Sequence, residues 1–231
     1  AALLATPGVA QAARPHLRLR AANTRVTLNV YRFPDGSTSA DGTLGLWVEA
    51  VDGRVAIRAS RASYDVPVTA SARRGDRSFG MGAGLLAGWN GLSRFATATW
   101  HRHGKSAVAA TTTVDWCPNG WDNARTGPDG PPLPTFPQQG CAGNPFSLGA
   151  LWGLDRSWAA SLPVAIPDIP LTDGARYDVA VRVRPLTGNA LGFWHADRTV
   201  NLDVTLKVTD IVDVPGGKHA ARSSRPSRGT P

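Results

Sequence analysis

The sequence predicts an all-β fold, a sandwich of two antiparallel sheets, on three observations. Apolar residues recur with a period of two in run after run, the signature of half-buried strands. The 231 residues include 25 Gly and 18 Pro without a repeat, a density that favours short elements and many turns. No 12-residue segment shows a helical period; the nearest, Gly80 to Gly91, is interrupted by glycines and reads as a loop or a single turn.

Taken in order, Val26, Leu28 and Val30 alternate with Thr27, Asn29 and Tyr31. Leu44, Leu46 and Val48 follow, then Val55, Ile57 and Ala59. Phe95–Arg102 and Ser106–Val114 form a further pair. Val179, Val181 and Val183 make one late strand, and Val200 through Val208 make another. Turn signals separate the runs at Pro34-Asp35-Gly36, Asp41-Gly42, Asp52-Gly53, His103-Gly104 and Thr172-Asp173-Gly174. Asp52-Gly53 and His103-Gly104 are expected to close two-residue hairpins, because Gly takes a positive φ at no steric cost. About seven to nine strands of this kind build an immunoglobulin-like or jelly-roll-like sandwich, with a closed barrel as the alternative.

The ends differ from the middle. Residues 1–13 read as the remnant of a secretory signal: small apolar residues, a Pro-Gly break and Ala10-Gln11-Ala12 in an A-x-A pattern. Residues 14–214 are the β-sandwich. Residues 215–231 hold no apolar side chain larger than Ala and read as a basic, disordered linker or tail. The formal charge is +8. Four arginines from Arg14 to Arg25 and four basic residues after Pro215 account for it, since the rest holds 17 basic and 17 acidic groups. A positive charge confined to the ends argues against nucleic acid as partner. No apolar run is long enough to span a membrane as a helix.

The two cysteines, Cys117 and Cys141, are expected to form one disulfide, as suits an exported chain. The stretch between them is rich in Pro and Gly and has no strand or helix period, so it reads as a long irregular loop closed by that bond.

Chemistry is sparse. His101 and His103 fall on one side of a strand, where two imidazoles can share a metal. They lack a third ligand and abut a turn, so exposed polar residues are the expectation. His16, His195 and His219 stand apart from them. There is a single Glu, Glu49, and no G-x-S-x-G, P-loop or dinucleotide fingerprint. The chain is therefore expected to hold no catalytic residue, metal or cofactor of its own. Of the eight Trp, Trp47 and Trp100 lie in strand patterns and are expected to pack. Trp89, Trp116, Trp121, Trp152, Trp158 and Trp194 fall in or beside loops, where they plug the ends of the sandwich or form a platform for sugar rings. Trp121, inside the closed loop, has the best claim to be such a platform.

The order of motifs carries a resemblance. Arg61-Ala62-Ser63-Tyr64-Asp65-Val66-Pro67 is followed by Trp89-Asn90-Gly91-Leu92-Ser93-Arg94-Phe95, then Cys117-Pro118-Asn119-Gly120 and Cys141. Asn144-Pro145-Phe146-Ser147-Leu148-Gly149 and Leu151-Trp152-Gly153-Leu154-Asp155-Arg156-Ser157-Trp158-Ala159 come next. Over roughly residues 17–209 this series resembles the N-terminal region of exported actinobacterial proteins of the lysyl oxidase-like family. The resemblance implies an all-β region joined by a linker to a copper amine oxidase domain. That domain's His-rich copper segment and quinone-forming Tyr and Lys have no counterpart here; Trp100-His101-Arg102-His103 imitates only a scrap of it. The expectation is a secreted, non-catalytic accessory domain that supports or targets a downstream catalytic domain. Its further partners would be a cell-wall polymer or an extracellular protein. The alternatives are a carbohydrate-binding module using the loop Trp residues and a small metalloenzyme using His101 and His103.

Overall fold

A computed structural model describes residues 16–41, 43–82, 84–141 and 146–211. The expected signal remnant, the linker and Gly42 of the Asp41-Gly42 turn lie outside the described residues. The fold is all-β. Its strands are β1 (Leu17–Ala21), β2 (Arg25–Arg32), β3 (Thr38–Asp41), β4 (Leu46–Ala50), β5 (Val55–Ser60), β6 (Thr69–Arg74) and β7 (Arg77–Met81). Then follow β8 (Leu92–Arg102), β9 (Val108–Trp116), β10 (Asn123–Arg125), β11 (Gly149–Leu154), β12 (Trp158–Ser161), β13 (Arg176–Val183) and β14 (Thr199–Asp210).

One six-stranded sheet has the order β3-β2-β14-β13-β8-β9. Its buried inward residues include Leu28, Val30, Val179, Val181, Val183, Leu202, Val204 and Leu206 from the expected runs, together with Ala96, Ala98, Trp100 and Tyr177; Val26, Val200 and Val208 at the strand ends are only partly buried. Two four-stranded sheets, β1-β4-β12-β10 and β11-β5-β6-β7, add Leu17, Leu46, Val48, Ile57 and Trp152 to the same continuous apolar core. Trp100 and Tyr177 meet edge to face with centroids 6.1 Å apart, and the Tyr177 hydroxyl donates to the Pro170 carbonyl at 2.9 Å. A buried phenol thus keeps a partner for its polar end.

His103-Gly104 does lie in the turn between β8 and β9, with Gly104 at φ 72° and the Lys105 N–H on the Arg102 carbonyl at 2.8 Å, but pairing resumes only at His101–Val108, so the connection is longer than the expected two-residue hairpin. Asp52-Gly53 does not close one. β4 pairs with β1 and β12, whereas β5 pairs with β11 and β6. The segment between them is a corner at which the chain changes sheets. The antiparallel partner turns at the same level, between Leu154 and Trp158, where Ser157 takes φ 56° and its N–H donates to the Ala50 carbonyl at 2.8 Å. A two-stranded ribbon is thus bent across both four-stranded sheets, as in orthogonal sheet packing.

Other expectations are corrected in detail. Fourteen strands, not seven to nine, are found among the described residues, in three hydrogen-bonded sheets. β14 and β2 pair in parallel, with Asp203 opposite Arg25. A seven-residue helix, α1 (Pro185–Leu191), precedes β14 and is followed by a 3-10 turn at His195–Arg198. Pro185 starts α1 and Gly192, at φ 82°, ends it; the Phe193 N–H then bonds the Gly188 carbonyl at 2.8 Å. The helix is too short to display a period, but its Pro start and Gly stop are standard boundary signals.

Candidate functional site

The two sequence candidates, the His101/His103 pair and Trp121, occupy different parts of the molecule. His101 lies near the end of β8, directly opposite Asp178 of β13; Asp178 is opposite Asp203 of β14, and Asp203 opposite Arg25 of β2. This row crosses the outward face of the six-stranded sheet and lines a shallow hollow of about 510 Å³. The imidazoles face different partners. His101 Nδ1 donates to the Ser106 carbonyl at 3.1 Å, and His103 Nδ1 donates to Asp178 Oδ1 at 2.9 Å. Arg176 forms a two-pronged pair with Asp203. The hydrogen bond from His103 holds the Asp178 carboxyl below its ordinary range, and that from Arg176 does the same for Asp203. The geometry is a surface chain of ion pairs. Among the described residues no group of three or more His, Cys, Asp or Glu side chains is arranged to hold a metal ion.

Trp121, the second candidate, stands on the disulfide-closed loop. Cys117 and Cys141 are joined, their Cα atoms 5.6 Å apart. Asn119, two residues along, is buried and holds the loop to β11: its Nδ2 donates to the Leu151 carbonyl at 3.2 Å and its Oδ1 accepts from the Gly153 N–H at 2.9 Å. Its carbonyl also accepts from the Gly140 N–H at 2.8 Å. On the other side, Asn123 Nδ2 donates to the Pro118 carbonyl at 3.1 Å, and β10 pairs with β12. Between these anchors Trp121 is 76% exposed.

The rest of the closed loop is less irregular than its composition implied. It contains β10, and its far part is held by Asp155. That buried carboxylate accepts from the Thr135 N–H at 2.6 Å and from the Thr135 hydroxyl at 2.7 Å. Phe136 is buried beneath Arg54, whose guanidinium lies 4.3 Å from the ring centroid. Trp158 Nε1 donates to the Pro131 carbonyl at 3.0 Å. Nothing local in the sequence marks Asn119 and Asp155 for these roles, because the groups they hold lie 20 to 34 residues away.

The remaining Trp residues divide. Trp89, Trp116, Trp152 and Trp158 are buried, while Trp194 is 55% exposed. Trp100 packs fully, but Trp47 points to the outer side of its strand and is half-buried beside Arg20 and Ala159. His16 belongs to the core margin. It is buried, stacks on Trp194, and faces Asp52 through Nδ1 at 3.1 Å and Asp197 through Nε2 at 3.7 Å. His195 is exposed in the 3-10 turn, and His219 lies outside the described residues.

No family model matches the chain, and neither a curated protein nor a solved structure matches it. The likeness to lysyl oxidase-like proteins rests on the quoted motifs alone.

Proposed function

We propose that this chain is a non-catalytic accessory β-sandwich of an exported protein, one that targets an attached catalytic domain to an extracellular polymer. One observation supports it above the others: an indole held out to solvent from a loop tied down by a disulfide and by Asn119 and Asn123. With the backbone beneath it already tied down, such an indole has less ordering left to undergo when a sugar ring stacks on it. Its exposure also means that Trp121 contributes little to the core, so binding and folding are separable.

The reading of the attached domain is carried by the motif order alone. In this reading it is a copper amine oxidase of the lysyl oxidase-like kind, and copper belongs to that domain. The coding sequence after Pro231 tests this half: a His-rich copper segment supports it, and a stop codon removes it.

The binding half is tested by retention on insoluble cell-wall polysaccharide. The Trp121→Ala variant is expected to lose at least tenfold in retention while its thermal transition stays where it was. Equal retention of variant and parent overturns the role of Trp121.

A further inference from the structure

The outward face of the β11-β5-β6-β7 sheet gathers positive charge that the neutral balance of residues 26–214 conceals. Ala56 and Arg58 of β5 point to one face by strand alternation, and Arg54, immediately before the strand, lines the same groove. Arg73 of β6 is directly opposite Ala56. The three arginines line an open groove of about 840 Å³, with Leu151 at one wall and Asp76 as the one acidic residue of the lining. Arg58 and Arg73 are exposed and form no ion pair among the described residues. Arg73 spends its Nε on the Gly75 carbonyl at 3.1 Å, which leaves its terminal nitrogens free to face the groove. Arg54 is set in place by Phe136 beneath it and by Asp155, 3.9 Å from its Nε.

Spacing and floor narrow the ligand. Two strand residues advance about 6.5 Å, so Arg54 and Arg58 lie about 13 Å apart along the strand, with Arg73 beside the midpoint. No single phosphate or carboxylate reaches all three; an extended chain with an anion at each step does. Phosphates joined by a three-carbon polyol are six bonds apart, and six extended bonds span about 7 Å, by analogy with the reach of two residues of polypeptide. Guanidinium forks match phosphate oxygens in geometry and charge. Single-stranded nucleic acid has a similar charge spacing, but its recognition depends on aromatic platforms for the bases. None of the groove-lining residues is aromatic. Leu151, 48% exposed, and Ala56 offer instead an aliphatic surface suited to polyol carbons.

We propose that this groove binds a polyol-phosphate polymer, a phosphodiester chain without bases. The site is separate from Trp121, and its test is independent of that reading. The full chain is titrated with poly(glycerol phosphate) by calorimetry or surface interferometry over a range of salt. Parallel titrations use oligo-dT, polygalacturonate and phosphatidylglycerol vesicles. Two variants accompany the parent: Arg58→Ala/Arg73→Ala, and one with Lys218, Arg222, Arg225 and Arg228 changed to Ala.

Poly(glycerol phosphate) is expected to bind the parent and the tail variant alike, with a logarithmic salt slope of about −2 for three phosphate contacts. The groove variant is expected to bind at least tenfold more weakly with an unchanged circular dichroism spectrum. Trp121→Ala is expected to leave this binding intact. The proposal is overturned if the groove variant binds as the parent does, or if the tail variant alone loses binding. Equal or tighter groove-dependent binding of oligo-dT, polygalacturonate or vesicles overturns it as well.

Discussion

The imidazole of His16 lies flat on the indole of Trp194, with ring centroids 3.8 Å apart and planes 10° from parallel. The contact ties the start of β1 to the segment that leads into β14, across almost the whole chain. Asp197, which faces His16, also pairs with Arg18 at 3.2 Å. A ring buried against an indole contributes packing area. His16→Ala is therefore expected to cost about 1–3 kcal/mol, read as a lowered urea midpoint. Trp194→Ala is expected to cost less, because that indole is half in solvent. A midpoint unchanged in both variants would contradict this account of the joint.

The Cys117–Cys141 bond closes a loop of 24 sequence steps. In the chain-entropy model such a closure is worth about 3 kcal/mol. Reduction, or Cys117→Ser with Cys141→Ser, is expected to lower stability by an amount of that order, measured by denaturant unfolding with and without reductant. The loop's further anchors at Asn119 and Asp155 lead us to expect that the reduced protein still folds.

Asp155 is the second anchor. Asp155→Ala leaves the Thr135 N–H and hydroxyl without their acceptor and Arg54 without its partner. Removing a buried acceptor of this kind costs about 1–3 kcal/mol. Limited proteolysis is expected to cut the variant faster within residues 126–137, while the rest of the sandwich resists. Unaltered cleavage would show that the disulfide alone holds the loop.

The surface chain on the six-stranded sheet sets an acid limit. Asp178 and Asp203 carry folded-state pKa values below those of the unfolded chain, the first because His103 donates to it and the second because Arg176 does. A depressed carboxylate contributes stability that is present above its unfolded pKa, about 3.9, and is lost as pH falls through the folded value. Stability is therefore expected to drop below about pH 4. The Asp178→Asn/Asp203→Asn variant is expected to lose part of that pH dependence. Both carboxylates are partly open to solvent, which screens the pairs, so the effect is small and is best read as the difference in slope of the urea midpoint between pH 6 and pH 3.

Much of the framework was legible because alternation is a local property. Val179, Val181 and Val183, or Leu202, Val204 and Leu206, announce an inner face without reference to any other strand. β6 and β7 were harder: Ala70 and Ala72 are small, and the only strong mark is the Gly75-Asp76 turn between them. β12, with Trp158, Ala159 and Ala160 all buried, shows no alternation to read. The corner at Asp52 has the same local chemistry as a hairpin, and only the competition among β1, β12 and β11 for partners decides between them.

The sequence by itself determined the all-β class, the inner faces of the long strands, the β8–β9 hairpin and the pairing of the two cysteines, because each depends on residues close in the chain or on a choice of one. The tertiary structure alone decided the sheet order, the parallel β2–β14 pair, the burial of His16 against Trp194, and the meeting of Arg54 and Arg58 with Arg73. Those features join residues from different strands, and their energies exist only once strand partners have been chosen. A neutral balance of charge over residues 26–214 therefore coexists with a basic groove on the folded surface.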